Sequence, residues 1–123
     1  MTHPQSTNER RQAMRYSLKV TIRTDDCMRG GESLDNVSQS GACIKTPLEY
    51  ENGELILVNF FFSGDLLCMP ASIRWKKNSS GHGYTYGVEF FNSGSTFFLE
   101  QRKQFQEYLS RSIAQRKAVP VKE

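Results

Sequence analysis

The chain has 123 residues, 37% of them apolar, 11% aromatic and 24% charged, with sixteen Lys and Arg against thirteen Asp and Glu. A chain of this size exposes roughly 20,000 Å² when unfolded and about 7,000 Å² when folded, enough to bury one core without disulfides or metal, with no room for a second domain. Its net charge of +3 excludes a polybasic, histone-like protein but leaves open a local basic patch.

Residues 1–8, MTHPQSTN, are rich in turn formers and lack an apolar period, which predicts a flexible leader before an arm at 9–15. Tyr16, Leu18, Val20 and Ile22 then alternate with Ser17, Lys19, Thr21 and Arg23, the period of a half-buried strand. Asp25, Asp26 and the Gly30-Gly31 pair punctuate the chain before a short strand at 32–36, and Gly41 turns it into another at 42–46 that Pro47 closes. A turn at 49–53 leads into a strand at 54–62, and Ser63-Gly64-Asp65 turns it back into 66–69 as a hairpin. Ala71, Ile73 and Trp75 alternate with Ser72, Arg74 and Lys76, and after an NSSGHG turn so do Tyr84, Tyr86, Val88 and Phe90 with their neighbours, giving a second hairpin.

Six or seven short strands without helices between them predict a mainly β fold, a small antiparallel barrel over 16–91 that protects its own edges. After Asn92 the period changes to about 3.6: Phe98, Phe105, Leu109 and Ile113, with Phe97 and Tyr108 beside them, predict a helix over 95–116 packed on the barrel, with Ser93 or Ser95 as its cap. The tail 117–123 contains Pro120 and little apolar content and is expected to fray.

The start of the chain has no apolar h-region, so no secretory signal is read and a cytoplasmic location is expected. The longest apolar run, LILVNFFF at 55–62, is far short of the ~20 residues that cross a bilayer, so no membrane insertion is expected. Cys27, Cys43 and Cys68 are odd in number and widely spaced, which disfavours a disulfide framework or a zinc site. His3 and His82 supply no metal or triad pattern, and Ser38 and Ser40 have no His partner, so neither an enzyme nor a cofactor is expected.

Charge is concentrated instead. Between positions 9 and 23, Arg10, Arg11, Arg15, Lys19 and Arg23 face a single acid, Glu9, so the rest of the chain is slightly acidic. The arginine fork grips phosphate bidentately and stacks on aromatic rings, so closely spaced arginines suit a phosphate-bearing aromatic ligand; a solvated basic arm is the plainer reading. Asn36-Val37-Ser38-Gln39-Ser40-Gly41 ends a strand with groups able to read a base edge or a phosphate, and equally able to form an ordinary Ser or Asx turn.

Taken in order, Arg11-x-x-x-Arg15, Asn36-x-Ser38-x-x-Gly41 and Gly87-Val88-Glu89-Phe90 before a C-terminal helix resemble the PilZ domain over roughly residues 9–109. The resemblance implies an antiparallel β-barrel that binds the bacterial second messenger cyclic di-GMP in signalling. It implies that Arg11 and Arg15 contact phosphates and guanine faces, and that Asn36, Ser38 and Gly41 shape the guanine-binding turn. Trp75 sits where the family has an aromatic bordering the ligand, the other reading being a core Trp. Arg10, directly before the motif, is similar to members that take up an intercalated pair of nucleotides.

Two phosphates and two π faces need cations, stacking and a few edge contacts, and charged hydrogen bonds at about 1.5–3 kcal/mol with one stack at about 1–3 kcal/mol reach a micromolar site. Ordering of the arm on the ligand would relay the signal to an effector protein. Asn36 replaces the commoner Asp and accepts guanine N–H groups less strongly, and strand alternation puts Asp35 on the opposite face. The alternatives are a degenerate PilZ-like protein-interaction adaptor and a single-stranded nucleic-acid-binding barrel. Asp25, Asp26, Glu49, Glu51, Glu54 and Asp65 interrupt the basic track that a nucleic acid needs, so none is expected.

Overall fold

The computed structural model describes residues 14–25, 30–78 and 83–121; the 1–8 leader, Arg10, Arg11, Asp26 and the centre of the NSSGHG turn lie outside the described residues. The strands are β1 (Tyr16–Ser17), β2 (Thr21–Thr24), β3 (Ser33–Val37), β4 (Gly41–Thr46), β5 (Leu55–Phe62), β6 (Asp65–Asn78), β7 (Tyr84–Phe90) and β8 (Val119–Pro120), with helix α1 (Thr96–Ala114) between the last two. They form one antiparallel sheet in the order β2-β5-β6-β7-β4-β3-β1-β8, curled into a half-barrel.

The single strand expected from Tyr16 onward is two. Tyr16 pairs with Val37 of β3, whereas Ile22 pairs with Phe60 of β5, so residues 18–20 carry the chain from near one end of the sheet to the other. Leu18 and Ile22 are still buried: the apolar alternation fixes the inward face and leaves the pairing partner open. Asp25 ends β2 with φ 51°. Its carboxylate accepts the Leu57 N–H at 2.8 Å and the Tyr50 hydroxyl at 2.7 Å.

The strands expected at 66–69 and 71–76 merge into β6, which runs through Pro70. The Pro70 carbonyl accepts the Phe91 N–H at 3.1 Å. The proline nitrogen therefore faces the same side, past the last β6–β7 pair at Ala71↔Phe90. The missing N–H removes no bond from the β5 ladder, which is why a proline is tolerated in an inner strand.

Ile22, Val37, Ile44, Val58, Phe60, Ile73, Tyr86 and Val88 point into the half-barrel, and α1 covers them with Phe105 and Leu109. The Phe105 ring centroid lies 5.1 Å from Phe60 and 5.2 Å from Phe90, and Tyr108 stacks on Phe62 at 5.0 Å. The expected stripe is only partly the packed one. Phe98 and Ile113 are partly buried, Phe97 and Leu99 face outward, and the polar Gln101 is buried in the seam. Its side-chain oxygen accepts the Cys68 N–H at 2.8 Å, satisfying a sheet donor that the helix covers. Ser95 occupies the N-cap without a side-chain capping bond, and Ser93 Oγ accepts the Ser95 N–H at 3.2 Å.

The tail expected to fray is paired: Val119 and Pro120 form β8 against Ser17 and Tyr16. Its cohesion comes from backbone pairing, and the buried Ala118 anchors it in the core; a search for apolar periodicity does not register either. Among the described residues, no helix is long and apolar enough to cross a membrane.

Candidate functional site

A row of cross-strand neighbours runs over the outer face of the sheet: Asn36↔Cys43, Cys43↔Gly87 and Gly87↔Trp75. A second row, Ser33↔Lys45, Lys45↔Thr85 and Thr85↔Lys77, lies beside it. Between them opens a groove of about 860 Å³ lined by Ser33, Asp35, Cys43, Lys45, Trp75, Lys77 and Thr85 among others. That size lies in the range of ligand sites, ~300–1,000 Å³.

Two register shifts build this face. In β6 the shift between Ile73 and Trp75 leaves both Arg74 and Trp75 facing outward, although simple alternation puts Trp75 inward with Ala71 and Ile73. Trp75 is thus not a core residue; it is 40% exposed. Its ring lies on Gly87, where an added Cβ would sit 2.0 Å from Trp75 Nε1. Glycine is required here because the indole occupies the space of a side chain. In β3 the shift between Leu34 and Asn36 sets Asp35 and Asn36 against the one partner Cys43. The expectation that Asp35 faces away is corrected by that bulge, since Asp35 lines the groove.

Behind the groove, the 36–41 segment is a Ser-centred turn. Ser38 is buried; its Oγ accepts the Ser40 and Gly41 N–H groups at 3.2 Å each, and its own N–H donates to the Gly41 carbonyl at 2.8 Å. Gly41 packs so closely on β7 that a Cβ would meet the Val88 carbonyl oxygen at 2.3 Å. Ser38 and Gly41 therefore shape and seat the turn, and Asn36 stands at its strand end, partly buried. From α1, Arg102 Nη2 donates to the Gln39 carbonyl at 3.1 Å, with its guanidinium over the Phe90 ring at 5.7 Å.

Cys43 marks where these pieces meet. It is 6% exposed and outside the main core cluster. Burial, then the neighbouring Asp35 carboxylate, push its thiol up to about 11, while Arg15 and Lys45 pull the other way. The thiol is protonated at neutral pH and is no nucleophile. Exposed Arg15 directly precedes the Tyr16↔Val37 pair, one position from the Asn36 row, near enough for its charge to act on that thiol; its carbonyl accepts the Val121 N–H at 2.9 Å. Lys45 and Lys77 have no ion-pair partner among the described residues, whereas Lys76 is held by Glu49 at 2.9 Å and Arg74 by Glu89 at 3.0 Å. Among the described residues the groove is hence a cationic surface with one carboxylate, Asp35, and one exposed aromatic face, Trp75. No group of three or more His, Cys, Asp or Glu among the described residues could hold a metal ion.

Of the site residues expected from the sequence, the structure brings Asn36 and Trp75 to one outer face, sets Arg15 beside it, and puts Ser38 and Gly41 behind it. Arg10 and Arg11 lie outside the described residues. Asp35, Lys45 and Lys77 join the groove without having been expected there. The two lysines are legible in retrospect from their two-residue spacing to Cys43 and Trp75 along their strands; Asp35 is not.

A family model described as PilZ domain matches residues 5–111. The chain belongs to the PilZ domain family. PilZ domains are in general cyclic di-GMP-binding and adaptor modules rather than enzymes. The solved structure of Bacillus subtilis Inhibitor of motility (MotI/DgrA) has the same fold, with a TM-score of 0.56 at 15% sequence identity over 85% of this chain and 52% of that one. This PilZ chain thus spans about half the length of that protein. No curated protein matches it.

Proposed function

We propose that this PilZ domain is a cyclic di-GMP receptor that binds through Arg10, Arg11, Arg15 and the Asn36-x-Ser38-x-x-Gly41 turn, and acts without catalysis on a partner protein. The observation that carries the reading is the outer-face groove, where Trp75 lies exposed on Gly87 with Cys43, Lys45 and Lys77 around it, the two lysines without an ion-pair partner among the described residues, and with Arg15 near enough to act on the Cys43 thiol. A dianion with two aromatic bases needs cations flanking a flat apolar face, and this groove has both. Trp75 borders one base. Asp35 supplies the carboxylate that neutral Asn36 lacks, a stronger acceptor for guanine N–H groups. Arg10 adds the charge for a second, intercalated nucleotide. Closure of the arm on the ligand changes the surface offered to the effector.

Calorimetric titration with cyclic di-GMP tests this. Micromolar binding is expected, lost in Arg11→Ala and Arg15→Ala, weakened in Asp35→Asn, with stoichiometry falling from two to one when Arg10 is replaced by Leu. Wild-type affinity retained in Arg15→Ala would refute the assignment.

A further inference from the structure

We propose that the segment after α1, residues 119–121, is a latch that positions Arg15 for the ligand; this rests on the receptor reading above. The latch starts from a fixed point. The Gln115 N–H donates to the Arg111 carbonyl at 2.9 Å, and the Lys117 and Ala118 N–H groups to the Ser112 carbonyl at 2.8 and 3.0 Å. With Arg116 at φ 61°, these bonds close the helix and reverse the chain. Ala118, 3% exposed, then sits in the core.

From that anchor the chain is held by its backbone. Val119 and Pro120 pair with Ser17 and Tyr16, and the Val121 N–H donates to the Arg15 carbonyl at 2.9 Å. Val119 and Val121 are 54% and 37% exposed, so their side chains add little. On its other side, among the described residues, β1 is bridged to β3 at Tyr16↔Val37. The latch therefore shares with the Tyr16–Val37 bridge the ordering of the chain at the point where the arginine arm joins the sheet, and is what holds the Arg15 carbonyl itself.

A hydrogen bond present with and without ligand adds nothing directly to affinity. Its effect is preorganisation. With the latch in place, the backbone at Arg15 is ordered by folding; without it, ordering falls to the ligand and weakens binding about five- to thirtyfold per residue fixed.

Val121→Pro removes the donor while its ring fixes φ at 121 and restricts Pro120 before it, both compatible with an extended strand, and Val121→Ala keeps the donor while removing the valine side chain. Both are compared with the wild-type chain by calorimetric titration with cyclic di-GMP, by thermal melting and by amide exchange of residues 14–17. Val121→Ala should match wild type. Val121→Pro should bind about five- to thirtyfold more weakly, with the loss in the entropy of binding, and should exchange faster at Tyr16 and Ser17 while melting within about 3 °C of wild type. Equal affinity and exchange in the two variants would overturn the latch alone. A wild-type chain that does not bind overturns the receptor reading and the latch with it.

Discussion

Replacing Gly87 by Ala tests whether the sheet builds the aromatic wall of the groove. An alanine Cβ would lie 2.0, 2.3 and 2.6 Å from three atoms of the Trp75 indole, where ordinary contact begins at 3.4 Å, so the ring must retreat by about 1.4 Å. Gly87 is not at positive φ, so the backbone accepts alanine, and the three nearest atoms to its Cβ all belong to the Trp75 indole. The indole is already 40% exposed and swings outward. Lifting it off the sheet forfeits roughly 60 Å² of contact, about 1.5 kcal/mol at ~25 cal/mol per Å². The gain of Ala over Gly within a strand offsets about 0.5 kcal/mol. The net loss of about 1 kcal/mol lowers Tm by about 4 °C. Trp75 is the only tryptophan in the chain, so its emission reports the displacement directly and should shift to the red. In a Trp75→Ala background the same Gly87→Ala change should be neutral or slightly stabilising, a coupling of about 1.5 kcal/mol. Unchanged emission and Tm in Gly87→Ala, or additive effects in the double variant, would refute the packing of Trp75 on Gly87.

Gly41→Ala should be worse, because its Cβ meets the Val88 carbonyl oxygen at 2.3 Å and a strand backbone cannot swing aside as an indole does. A loss of at least about 2 kcal/mol is expected, read as a Tm fall of about 8 °C in a circular dichroism melt. Cys43, with its thiol raised to about 11 from an ordinary 9.0, should resist alkylation by iodoacetamide at pH 8, where only about 0.1% is thiolate; per-site mass spectrometry checks this. Because the folded state holds that proton more tightly, its contribution to stability is complete below pH 9 and is lost as pH rises through about 11. Cys43→Ala should flatten that part of the pH–stability curve.

The sequence makes legible what alternation and turn chemistry govern. Tyr86, Val88 and Phe90 point inward as their spacing requires, and the Ser38 turn closes where its residues predict. Bulges are not legible, because an extra residue leaves composition unchanged while reversing the face of every later residue in the strand; Trp75 and Asn36 both come to the outer face that way, Asn36 joining Asp35 there. Gln101 is hidden for a different reason, since a polar residue reads as exposed until a covered strand N–H needs it. The order of the tail is equally hidden, because it comes from hydrogen bonds to β1 and not from its side chains.

The receptor assignment stands most directly on one titration, cyclic di-GMP into the wild-type chain and into Arg15→Ala, with circular dichroism showing that both are folded. The groove and its arm predict micromolar binding to the wild type and none to Arg15→Ala. No heat of binding from the folded wild-type chain at ~100 μM nucleotide, above any micromolar dissociation constant, would contradict the assignment.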